Sequence, residues 1–156
     1  MSFDASACRR MADFALQKPP PEHVTRPEPK GVRVVRFVLP LDLCPTLNSY
    51  AQMQPWKRHS IKKQLLLLMR VQMPDRLPML AGRPWAQAVR FSSVECDADA
   101  AWCKLAIDRL TPKNHGLGLI EDDKPTKLEL HARWEPAPKG CGFVLLDLHH
   151  TNGVIK

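Results

Sequence analysis

Fifteen prolines in 156 residues decide where regular structure can form in this chain. Proline has no amide proton and a fixed φ, so it ends helices and is kept out of central strands. Five of them fall between Pro19 and Pro29, in "KPPPEHVTRPEPK", which can therefore be neither a continuous helix nor a central strand. Residues 1–30 read as a Pro-rich, flexible or loosely docked arm, 31–149 as the folded domain and 150–156 as a short tail.

Apolar spacing assigns the elements between the remaining prolines. "GVRVVRFVL" (31–39) is β-branched and partly alternating, the pattern of a strand. Prolines at 40, 45 and 55 make the next stretch a loop. From Trp56 to about Val71 there is no Gly or Pro, and Ile61, Leu65 and Leu68 recur at helical spacing, with Pro55 suited to a first turn. After a Pro/Gly loop at 74–85, residues 86–96 read as a strand. Ala100–Leu110 reads as a helix with Trp102, Leu105, Ala106, Ile107 and Leu110 inward, stopped by Thr111-Pro112. Segments 126–134 and 142–149 are the last two strands. The order β-α-β-α-β-β predicts a small single-domain α+β fold with a mixed sheet and two main helices.

Several functional classes are disfavoured. The longest apolar run, "LLLLM" at 65–69, is far short of the roughly 20 residues that cross a bilayer, and no apolar stretch follows Arg9 and Arg10 as in a secretory signal. Five cysteines without a CxxC pair suit reduced thiols, hence a cytoplasmic setting, better than a disulfide or zinc framework. No G-x-S-x-G nucleophile elbow occurs. His149 and His150, adjacent on a strand, point to opposite faces and do not share an ion. Trp56, Trp85, Trp102 and Trp134 read most simply as core or dimer-interface residues, with stacking of one of them on an unpaired base as the lesser alternative.

Charge is unevenly spread. Residues 31–90 carry net +8, residues 91–123 net −4, and the whole chain +7. The acidic island has two knots, "ECDAD" at 95–99 and "EDD" at 121–123. One aspartate at a helix start is explained by N-capping. Several carboxylates brought together repel one another unless a cation lies between them, and a hard divalent ion with oxygen ligands meets that need. The basic surround suits a polyanionic partner, with Lys57, Arg58, Lys62, Lys63 and Arg90 as candidate phosphate contacts.

In order, the chain carries "LP" at 39–40, "PTLNSY" at 45–50, the D-x-D of Asp97 and Asp99, Lys104, the D-x-L of Asp108 and Leu110, Gly118, Ile120, and the pair Asp122-Asp123. Over about 31–149 this resembles the RusA family of Holliday junction resolvases. The resemblance implies a homodimeric, Mg²⁺-dependent endonuclease of bacterial or phage origin, with Mn²⁺ as a substitute ion, that nicks opposed strands of four-way DNA. It further implies Asp97, Asp99 and Asp123 as metal ligands with Asp122 beside them, and Lys104 as the lysine that steadies phosphate charge. The stretch "SSVEC" stands where the family commonly has basic residues before the D-x-D, and two single positions also depart from the pattern: Ala100 replaces an Asn, and Lys104 follows Asp99 by five residues rather than four. They motivate an alternative, a RusA-like module that holds branched DNA without cutting it.

Overall fold

The computed structural model describes residues 3–19, 26–75, 77–97, 101 and 103–151. Asp99 and Trp102 lie outside them. Four strands, β1 (Val32–Pro40), β2 (Trp85–Ser92), β3 (Glu129–Pro136) and β4 (Phe143–His150), form one mixed sheet in the order β1-β4-β2-β3. β4 is antiparallel to both neighbours, and β2 runs parallel to β3. The α+β class and mixed sheet match the sequence expectation.

All eight residues of β4 are buried, because helices cover both faces of the sheet. On one face α3 (Pro55–Gln72) lays down Ile61, Leu65 and Met69, and α4 (Lys104–Leu110) adds Leu105, Ala106, Ile107 and Leu110. They meet Phe37, Leu39, Ala86, Ala88, Val144, Leu146 and Leu148. Pro55 takes the first helical position, as expected, where its missing amide proton costs nothing.

The second face is where the arm reading gives way. Ala5–Gln17 form a helix, α1, capped by Asp4, whose carboxylate accepts from the amides of Ser6 (2.9 Å) and Ala7 (3.0 Å). Ala12 is fully buried against Val38, Val89, Phe91, Phe143 and Leu145, with Cys8, Ala15 and Leu16 packed around it. Arg26 closes the other end of this helix. Its guanidinium donates to the carbonyls of Ala15 (3.0 Å), Leu16 (3.0 Å) and Lys18, and to both oxygens of Glu135 on β3 (2.8 and 2.9 Å). Local proline content says nothing of such a distant cap. The loop expected at 40–55 also contains a short helix, α2 (Leu47–Gln52), started by the Thr46 side chain accepting from the Ser49 amide.

Two polar devices hold the strands. Asp147, 4% exposed in the middle of β4, receives two 2.7 Å hydrogen bonds from Arg36, its register partner on β1, and Arg36 also pairs with Asp13 of α1. At the edge of the sheet, Gln72 uses both halves of its amide on Val38, accepting from its N–H (2.8 Å) and donating to its C=O (2.9 Å). That occupies backbone groups an edge strand otherwise leaves open.

Removing one partner of a buried ion pair strands the other charge and typically costs about 3–5 kcal/mol. Asp147→Ala should lower the urea unfolding free energy by about that much, and the double variant Arg36→Met/Asp147→Leu should recover most of it. Equal losses in the single and double variants would show that the pair is not what holds β1 to β4.

Candidate functional site

Parallel pairing obliges the chain to leave β2 at one end and return to β3 at the other, through a connection of a dozen or more residues. In this protein that connection is 93–128, and both acidic knots lie on it. Both knots therefore belong to one crossover segment, with the helix that contacts the second knot lying between them.

The first knot leaves the end of β2 at the surface. Asp97 is exposed, and its carbonyl accepts from the Ala101 amide at 3.0 Å, a bond of helical spacing. Cys103, buried directly before α4, lies beside buried Cys44, and the contact with that thiol, helped by the Ala106 backbone and by Arg90, holds the Cys103 thiol below its ordinary range against desolvation. The start of α4 is thereby fixed. Its apolar side goes into the core, and Lys104 and Asp108, four residues apart, are left on the polar side as an ion pair.

The second knot is delivered by a tight reversal after α4. Asn114 and His115 adopt left-handed φ values of 51° and 59°, and a Cβ on Gly116 would come within 2.0 Å of the Thr111 carbonyl oxygen, so this bend excludes side chains there. The amides of Leu117 and Leu119 then donate back to the carbonyls of Arg109 (2.7 Å) and Leu110 (2.8 Å). Leu119 and Ile120 are buried in the core, which forces Glu121, Asp122 and Asp123 out beside the polar side of α4.

The result is a tight charge cluster. The Lys104 ammonium contacts Asp123 as well as Asp108. Asp122 pairs with Lys113 (2.8 Å) and Lys124 (3.4 Å) and accepts the Asp123 amide (2.9 Å), while Glu121 pairs with Lys127 (2.9 Å). Partial burial works to lower the Lys104 pKa, but the bonds to Asp108 and Asp123 outweigh it and the pKa is raised. The Lys113 hydrogen bond, helped by the Asp123 amide, holds the Asp122 carboxyl far below the usual carboxylate range against the opposing effect of desolvation. The signs give opposite windows. Asp122 adds stability present above its unfolded pKa and lost as pH falls through the folded value. Lys104 adds stability present below its unfolded pKa and lost as pH rises through the folded one, above about pH 10.4.

Of the sequence-predicted site residues, Asp123 and Lys104 are in contact, Asp122 adjoins them, and Asp97 sits at the exit of β2. Asp99 lies outside the described residues. Among the described residues, no three His, Cys, Asp or Glu side chains are arranged as metal ligands. The nearby donors are nonetheless all carboxylates, the oxygen chemistry that suits Mg²⁺. Two participants were not among the predicted ligands. Asp108 is visible as an i+4 partner of Lys104, whereas Lys113 depends on the loop reversal.

The basic candidates divide. Lys57 and Lys63 are exposed on α3. Arg58 instead donates to the carbonyls of Met53 (2.8 Å) and Ala51 and lies, with Lys62, over the Tyr50 ring. Arg90 donates to the Cys44 carbonyl (2.8 Å) on the wall of a cleft of about 760 Å³, bordered also by Leu41, Glu95 and Cys96, at the same end of the sheet as Asp97.

No protein-family model, curated protein or solved structure matches this chain.

The Lys104 contacts can be checked without any activity. Asp123→Asn and Asp108→Asn should each lower the Lys104 titration midpoint observed by NMR of its ¹³Cε. An unmoved midpoint in Asp123→Asn would mean that the two side chains do not touch.

Proposed function

We propose that this chain is a RusA-like, Mg²⁺-dependent endonuclease that binds four-way DNA junctions as a homodimer and nicks opposed strands. The observation that carries the reading is the Lys104 bridge. One ammonium joins the helix that follows the first acidic knot to Asp123 of the second, on a surface set within a basic chain. Asp97, Asp99 and Asp123, with Asp122 beside them, would hold the ion. When bound, it supplies Lewis-acid polarisation of a phosphoryl oxygen and a more acidic water.

The chain's own side chains have separable tasks. Lys104, protonated through the physiological range, offers positive charge where the pentavalent phosphate accumulates negative charge. Lys113 and Lys124 keep Asp122 ionised. Exposed Lys57 and Lys63 would pair with backbone phosphates and make binding fall steeply with salt. Two copies related by a two-fold axis would place one acidic site at each of two strands.

A second reading rests on the same cluster. Each carboxylate of the second knot already has a lysine partner, so the charges are balanced without an added cation. With Ala100 and the five-residue step to Lys104, this favours a RusA-like module that binds branched DNA without cutting it.

Incubation with labelled four-way, flap and linear duplex DNA, with and without Mg²⁺ or Mn²⁺, separates the two. The nuclease reading expects metal-dependent nicking of the junction, abolished by Asp97→Asn or Asp123→Asn while junction affinity is largely kept. Junction binding with no nicking under either ion establishes the second reading, and unimpaired cutting by both variants rejects the site assignment.

A further inference from the structure

The outer face of α3 is unlike the solvated surface expected of a helix packed on one side. Trp56, expected in a core or interface, is 73% exposed in its first turn, and Leu67 and Val71 are 52% and 84% exposed further along. At about 100° per residue, Trp56, His59, Lys63, Leu67 and Arg70 fall within an arc of about 80°, opposite Ile61, Leu65 and Met69. The helix holds five Lys and Arg residues and no Asp or Glu. Trp56, Lys63 and Arg70 follow one another at steps of seven, about 10.5 Å apart along the axis.

We infer that this face is a binding track for an unpaired strand of nucleic acid, with Trp56 as the platform on which a base stacks and Lys63 and Arg70 as its phosphate contacts. The inference deepens the nucleic-acid reading above and rests on it, but not on metal binding or cutting. Charge selects the occupant. A second copy of the helix laid on this face would set Lys63 and Arg70 against their own counterparts with no carboxylate on either helix to balance them, whereas a polyanion neutralises them. The aromatic selects the unpaired state, since a base offers its face to an indole only when it has left the duplex stack. Lipid suits the face less well, because cations interrupt its apolar residues and Ile61, Leu65 and Met69 tie the helix to the core.

The track also has a direction. Arg70 donates to the His115 carbonyl at 3.1 Å, and His115 belongs to the turn from which Lys113 reaches Asp122. A strand followed from Trp56 past Lys63 to Arg70 therefore arrives at the loop that carries the second acidic knot. A protein acting on branched DNA would have use for this arrangement, with one contact reading an opened base and the next ones leading its backbone toward the carboxylates.

The test is fluorescence anisotropy in EDTA with a labelled oligothymidylate of about 12 nucleotides, a length within single-strand site sizes, and with a duplex of equal length. Trp56→Ala should weaken the single strand roughly ten- to hundredfold while changing the duplex less than twofold, and Trp56→Phe should restore most of the loss. Lys63→Ala should reduce the salt dependence of both by about one ion. Trp56→Ala that leaves single-strand affinity unchanged, or weakens duplex equally, overturns the inference, as does binding of phosphatidylserine vesicles in preference to the oligonucleotide. The two readings fail separately: junction cutting with no effect of Trp56→Ala on single-strand affinity overturns the track alone, and Trp56-dependent binding by a protein that never cuts overturns the nuclease alone.

Discussion

A carboxylate in the centre of a fully covered strand is the constraint around which this fold is arranged. Burying the Asp147 carboxylate within β4 is costly unless a cation is brought to it, and Arg36 meets it directly across the sheet. That pairing fixes the register of β1 on β4, since a slip of one residue would turn Arg36 to the opposite face. It also reaches outward to Asp13, so the charge that locks two strands helps seat α1 on the second face. With β4 covered on both sides, the loops at the ends of the sheet and the outer helix surfaces remain for chemistry.

The candidate site grows from one of those ends. Parallel β2 and β3 require a long crossover, and the crossover carries the acidic residues. Its geometry comes from apolar anchors: Cys103 at the head of α4, then Leu119 and Ile120 after the reversal. Lysines distributed among the carboxylates act as internal counterions. The cluster is thus stable in itself, and a phosphate or metal would enter it by exchanging partners already present.

What the sequence discloses follows the range of the interactions involved. β1, α3 and β4 are legible because their signals are local: β-branched alternation in "VRVVRFV", helical recurrence of Ile61 and Leu65, and an uninterrupted apolar run in "FVLL". The docking of α1 is not, because it depends on Arg26 reaching its last carbonyls and on Glu135 more than a hundred residues away. Arg58 and Arg90 look like surface cations in the sequence, yet each spends hydrogen bonds on a backbone carbonyl of a neighbouring segment. The Lys104–Asp108 pair is readable as an i+4 step, while Lys104–Asp123 requires the left-handed bend at Asn114 and His115, which residue type alone does not announce. Trp56 shows the same limit in reverse, since residue type leaves core and dimer interface both open and the helix phase puts this one on the outer face of the chain.

The Gln72 amide has a consequence for self-association. By holding both backbone groups of Val38, it plugs the middle of an outer strand, so another polypeptide cannot zip onto that border without first prising the glutamine away. Copies of this protein that come together are thereby steered away from joining backbone to backbone along β1.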